Sequence, residues 1–86
     1  MRNASRADDV QPAIVKALRD ISCQVIYIKL PVDLLVLHSG QIFLLECKDE
    51  DGRLTKGQIE LMAQGWPVHI VRSPMEAVNA VLGGIK

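Results

Sequence analysis

PVDLLVLHSGQIFLLECK, residues 31–48, is two apolar runs broken by a single Ser-Gly pair. Each run is too short for a stable helix and rich in strand-forming side chains, so the stretch predicts two β-strands joined by a tight hairpin turn at Ser39-Gly40. Gly40 supplies the positive φ that such a turn requires. A two-residue turn pairs His38 with Gln41, and counting back along both strands pairs Asp33 with Glu46. Directly opposed residues share a face, and Lys48, two positions beyond Glu46, returns to it. The Cα atoms of Asp33 and Glu46 are then expected about 4.5–5.5 Å apart. Both strands are apolar on both faces, which predicts a sheet interior with helices packed above and below.

Upstream, Val10, Ala13, Ile14, Ala17, Leu18 and Ile21 recur at helical spacing and predict a first helix, capped by Asp8 or Asp9 and ending near Asp20. The β-branched run that follows predicts a strand at about 23–29, ended by Pro31. Downstream, Thr55-Lys56-Gly57-Gln58 fits a capping box that opens a helix to about Gln64, with Gly65 as its stop. Trp66-Pro67 leads into a last strand, VHIVR, with Trp66 covering the core behind Gly65. Ser73-Pro74-Met75-Glu76 then opens a final helix that ends at Gly83-Gly84. The expected order is αβββαβα, in one domain spanning 8–86 behind a polar, flexible arm at 1–7.

Composition sets the limits. A chain of 86 residues has a thin core, and with aromatic side chains at only 3% the packing must come from aliphatic ones. That leaves an oligomer as one way to hide more surface. Ten basic and ten acidic residues cancel, so no global field draws the chain onto nucleic acid and any such contact must be local. Cys23 and Cys47 sit in apolar runs and read as reduced core thiols of a cytosolic protein. No stretch is long and apolar enough to span a membrane, and the expectation is a soluble, cytoplasmic protein.

The chemistry follows from the hairpin. Two adjacent carboxylates repel each other, and burying them costs several kcal/mol unless something positive is bound. A divalent cation resolves this, and hard oxygen ligands suit Mg²⁺ or Mn²⁺. Lys48 can hold an attacking water and offset charge that accumulates on a phosphate. A plain surface ion pair would need only two of these three charges. Asp33, Glu46 and Lys48 are therefore the candidate catalytic residues, with Asp33 and Glu46 as metal ligands.

Asp33, twelve intervening residues and then Glu46-Cys47-Lys48 resembles the D-x(n)-E-x-K signature of the PD-(D/E)XK nuclease superfamily, and the text around it resembles the VRR-NUC branch of small phage and bacterial domains. The resemblance runs from about Asp8 to Leu82. It takes in IVKALRD, the hairpin, LTKGQ and VHIVRSPMEAVNAVL. What it implies is a restriction-endonuclease-like fold with a mixed central sheet flanked by helices on both faces, and a Mg²⁺- or Mn²⁺-dependent endodeoxyribonuclease. It further implies the backbone carbonyl of Cys47 as a third ligand, Lys48 as the catalytic lysine and a part for Gln58 in the active site. Gln58 also reads as the capping partner of Thr55, and both can hold. Small members of the branch are similar to junction resolvases, which implies a homodimer acting on branched DNA in a bacterial or phage-infected cell.

Two positions depart from the pattern. Val32 separates Pro31 from Asp33, and Gln11 stands where the first helix of such domains offers a glutamate, so it adds a carbonyl oxygen but no charge to the metal site. A nicking or restriction-type subunit, or a catalytically silent nuclease-like module that binds DNA or protein, are the alternatives. Arg53, Lys56 and Arg72 flank the motif, where they can touch DNA phosphates or remain solvated surface charge. His38 and His69 read as core or edge histidines, and Ile59, Leu61 and Met62 as packing.

Overall fold

A computed structural model describes residues 6–83, and side chains from Val10 onward. It is a small α/β structure of a four-stranded mixed sheet and three helices. In chain order the elements are α1 (Arg6–Asp20), β1 (Gln24–Tyr27), β2 (Leu34–His38), β3 (Gln41–Cys47), α2 (Lys56–Ala63), β4 (Val68–Val71) and α3 (Pro74–Gly83). The sheet follows the order of the chain. β1, β2 and β3 pair antiparallel, and β4 joins β3 in parallel through the α2 crossover.

The hairpin has the expected register, with His38 opposite Gln41 and Leu34 opposite Leu45. Ser39 and Gly40 both take positive φ, 51° and 78°, the twist that closes a two-residue hairpin. Thr55 caps α2 with both halves of the capping box in place. Gly65, at φ 104°, ends that helix. Its amide donates to Met62 O and that of Trp66 to Leu61 O, the paired bonds of a Schellman stop. Ser73 Oγ accepts from Glu76 N at 3.1 Å, but the Glu76 carboxylate reaches one residue further back and takes the Arg72 amide at 2.7 Å.

Several boundaries differ from expectation, each for a local reason. α1 begins at Arg6, so Asp8 and Asp9 lie inside the helix rather than capping it; the expected arm at 1–7 gives way to helix at Arg6, and its first five residues lie outside the described residues. β1 is shorter than predicted at both ends. Cys23 N donates back to Leu18 O, and Lys29 turns to φ 72° so that the amides of Ile28 and Lys29 both reach Asp33 O. The expected stop at Gly84 lies outside the described residues.

The core sits on one side of the sheet. Leu34, Val36, Phe43, Leu45 and Cys47 point into a cluster with Ile14, Val15 and Leu18 of α1, Val71 of β4, and Ala77 and Val81 of α3. α1 and α3 also pack on each other. Each fully buried leucine or isoleucine here is worth about 1.5–3 kcal/mol. The opposite side corrects the expectation of a closed layer above and below, since Ile26, Leu37 and Ile42 remain exposed. Gln58 is the one residue of α2 that is buried, while Ile59 and Met62 are exposed, so their spacing does not mark core packing. Trp66, expected over the core, is 54% exposed beyond the Schellman turn. On so short a chain two helices, α1 and α3, seal one face of the sheet.

Candidate active site

The open end of the hairpin carries the charges. Continuing the register one step past the Leu34–Leu45 pair sets Asp33 opposite Glu46, as the turn geometry predicts. Asp33 lies just before β2, in a segment that strand pairing alone does not hold. Hydrogen bonds fix it instead. Its carbonyl accepts the amides of Ile28 and Lys29, just after β1, and its carboxylate Oδ2 accepts the Cys47 amide at 2.9 Å. The Asp33 carboxylate is thereby tied to the peptide that links Glu46 to Cys47.

Glu46 is in β3 and is only 5% exposed. Lys48 Nζ donates to its Oε2 at 3.1 Å, and Lys48 is itself largely covered. Glu46 Oε1 is buried and has no hydrogen-bond partner among the described residues. A buried carboxylate oxygen left in that state carries its full desolvation cost, which a bound cation would recover. The Cys47 thiol registers the local charge: burial first, then the Asp33 and Glu46 carboxylates, push it up to about 12. With no cation bound, that thiol is protonated at neutral pH.

No group of three or more His, Cys, Asp and Glu side chains that could hold a metal ion occurs among the described residues. Among the described residues the cluster offers the two carboxylates of Asp33 and Glu46, with the Cys47 carbonyl a third ligand only on the family resemblance. That set fits Mg²⁺ or Mn²⁺, since Mg²⁺ is commonly held by one or two carboxylates and keeps several waters. Gln11 is half-buried on α1. Gln58 is buried, and its Oε1 accepts the Thr55 amide at 3.0 Å, so the capping role is realised.

The basic residues divide. Arg53 and Lys56 are exposed on either side of Leu54-Thr55, where a phosphate can reach them. Arg72 is turned inward. Its Nη1 donates to the carbonyls of Asp49 at 2.5 Å and Gly52 at 2.9 Å, with Glu50 O at 3.5 Å. The sheet topology is the cause: β3 and β4 run parallel with Cys47 beside Val71, which sets Arg72 next to the Asp-Glu-Asp-Gly turn, a placement no local sequence signal gives. Elsewhere, His38 Nδ1 lies 3.6 Å from Cys23 Sγ and His69 tilts against Phe43 at a centroid distance of 6.0 Å, so both histidines belong to packing. No helix among the described residues is long and apolar enough to cross a membrane. In comparisons with known proteins, no family model, no curated protein and no solved structure matches this chain.

Proposed function

We propose that the chain is a metal-dependent DNA endonuclease with a restriction-endonuclease-like core, in which Asp33 and Glu46 hold Mg²⁺ or Mn²⁺ and Lys48 acts on the attacking water. The observation that carries this reading is the buried, unpartnered Glu46 Oε1. It sits on the carboxylate that Lys48 grips through its other oxygen, opposite Asp33. A structural ion pair would satisfy both oxygens or leave them in water. The element order αβββαβα and the D-x(n)-E-x-K spacing support the same reading.

The metal would polarise the phosphate and lower the pKa of a coordinated water. Asp33 is positioned for this by the Cys47 amide, and Glu46 by Lys48. The Lys48 ammonium, held just past the end of β3, offsets charge developing on the phosphate and orients the nucleophile. Gln58 and Gln11 can add carbonyl oxygens without adding charge. Arg53 and Lys56 would steer phosphates toward the cluster. The substrate proposed is branched or junction DNA, cut by a homodimer whose two sites address paired strands in the cytoplasm of a bacterial or phage-infected cell.

The test is incubation of the purified protein with linear duplex, flap, bubble and four-way-junction DNA in Mg²⁺, Mn²⁺ or EDTA, beside Lys48→Ala. Cleavage of at least one branched substrate is expected, dependent on metal and lost in the variant. No cleavage with either metal, or equal cleavage by Lys48→Ala, rejects the reading. One observation favours a second reading: among the described residues only two acidic side chains meet at the site, with Gln11 in place of an acid. A catalytically silent module would bind the same DNAs with or without metal and cut none.

A further inference from the structure

We propose that Arg72 is a positioning residue that fixes Lys48 through the 49–52 turn. The inference rests on the catalytic reading of Lys48. A lysine carries four rotatable bonds and about 2 kcal/mol of rotamer entropy, so one ion pair at its tip does not define the path of its stem. Here the stem is held by the turn that follows it. Gly52 N closes that turn on Asp49 O at 3.1 Å, and Asp51 N donates to Asp49 Oδ1 at 3.0 Å. A Cβ added at Gly52 would meet Lys48 Cβ at 3.1 Å and Lys48 Cδ at 3.2 Å, so the glycine backbone lies flat against the stem. Space, not dihedral angle, is what calls for glycine at this position.

Three consecutive acidic residues, Asp49, Glu50 and Asp51, occupy a turn that would otherwise spread toward water. The Arg72 guanidinium gathers its carbonyls at Asp49 and Gly52 and brings positive charge beneath it. Arg72 is itself anchored. Its amide is bound to Glu76 at the start of α3, and the residue before it, Val71, accepts the Lys48 amide at 3.0 Å. Lys48 is thus bracketed by β4 on its backbone, by Gly52 on its stem and by Glu46 on its ammonium. Arg72 holds the bracket closed.

The test has two parts, the first needing neither metal nor DNA. Amide exchange is followed in the wild type, Arg72→Ala, Arg72→Lys and Gly52→Ala. Exchange at Gly52 and its neighbours should rise about tenfold or more in Arg72→Ala and less in Arg72→Lys, while Phe43 and Leu45 stay within about twofold. Unchanged exchange at Gly52 overturns the clamp whether or not the protein cuts DNA. In the second part, Arg72→Ala and Gly52→Ala should each lower kcat by about 10–100-fold with KM unchanged, as expected when a reacting group is misplaced by an ångström. The double variant should lose little more, because both act through one turn. A raised KM with kcat kept, and a salt dependence reduced by about one charge, would mean that Arg72 binds phosphate, and the proposal would fall. A wild type that cuts nothing would remove the nuclease reading and leave the exchange result to decide the clamp.

Discussion

The two ends of the β2–β3 hairpin invert the usual placement of side chains. At the turn end Leu37 and Ile42 face solvent, Ile42 at 67% exposure, while at the open end the charged Glu46 is 5% exposed. Exposed leucines and isoleucines are common and need little explanation, whereas a buried carboxylate with an unpartnered oxygen is rare and does. The contrast teaches that this hairpin spends stability at one end only. Its open end holds a group whose burial pays off only when a charge partner is present.

The sharpest way to break the comparison is to neutralise the open end. Glu46→Gln or Asp33→Asn should reduce cleavage about 10³-fold or more, and calorimetry should show Mn²⁺ binding in the wild type and none in either variant. Retained binding would move the metal away from the hairpin. Next in size, Lys48→Met strands the Glu46 carboxylate in the interior and should cost about 3–5 kcal/mol in urea unfolding. The double variant Lys48→Met, Glu46→Gln should recover most of that loss, because it removes the uncompensated charge along with its partner. In the wild type, Mn²⁺ at about a hundred times its Kd should add about 2.7 kcal/mol, and Glu46→Gln should show no such gain.

The cysteines extend the comparison, one at each end. Cys47 lies beneath the carboxylates, with its thiol pushed up to about 12, while Cys23 at the turn end lies beside His38 and burial raises it as well. Iodoacetamide at pH 8 should therefore reach Cys23 before Cys47, about tenfold faster by mass spectrometry of the digested protein. The raised Cys47 value also has a sign in stability. The folded state keeps a proton that the unfolded thiol gives up above about 9, so this contribution is whole below pH 9 and is lost as pH rises toward 12. The smallest effect belongs to the exposed end: Ile42→Ser should change unfolding free energy by no more than about 0.5 kcal/mol.

What could be read in advance was local. The Ser39-Gly40 turn, the Thr55 capping box and the Gly65 stop are set by residues within a few positions of each other, and from them follow the element order and the pairing of Asp33 with Glu46. What escaped prediction depends on distant parts of the chain. Trp66 and Met62 look like core residues because they are apolar, yet two helices already seal the packed face and α2 seals little more. Arg72 looks like a phosphate ligand because it is basic and near the motif. Only the parallel joining of β4 to β3 reveals that carbonyls come within its reach first. Asp33 was located by counting, but its hydrogen bond to the Cys47 amide needs the irregular segment before β2, which no periodicity describes.

The sheet ends on each side in a strand of four residues, Gln24–Tyr27 and Val68–Val71, and neither contains lysine, arginine, aspartate or glutamate. Proteins usually guard such margins with charge, proline or a bulge, because bare backbone donors and acceptors invite a neighbour to extend the ladder. Here brevity is the guard within the strands themselves, with Lys29 and Pro31 following β1. In concentrated solution, or in variants that loosen the surrounding helices, these margins are where chains would first adhere to one another and begin to aggregate.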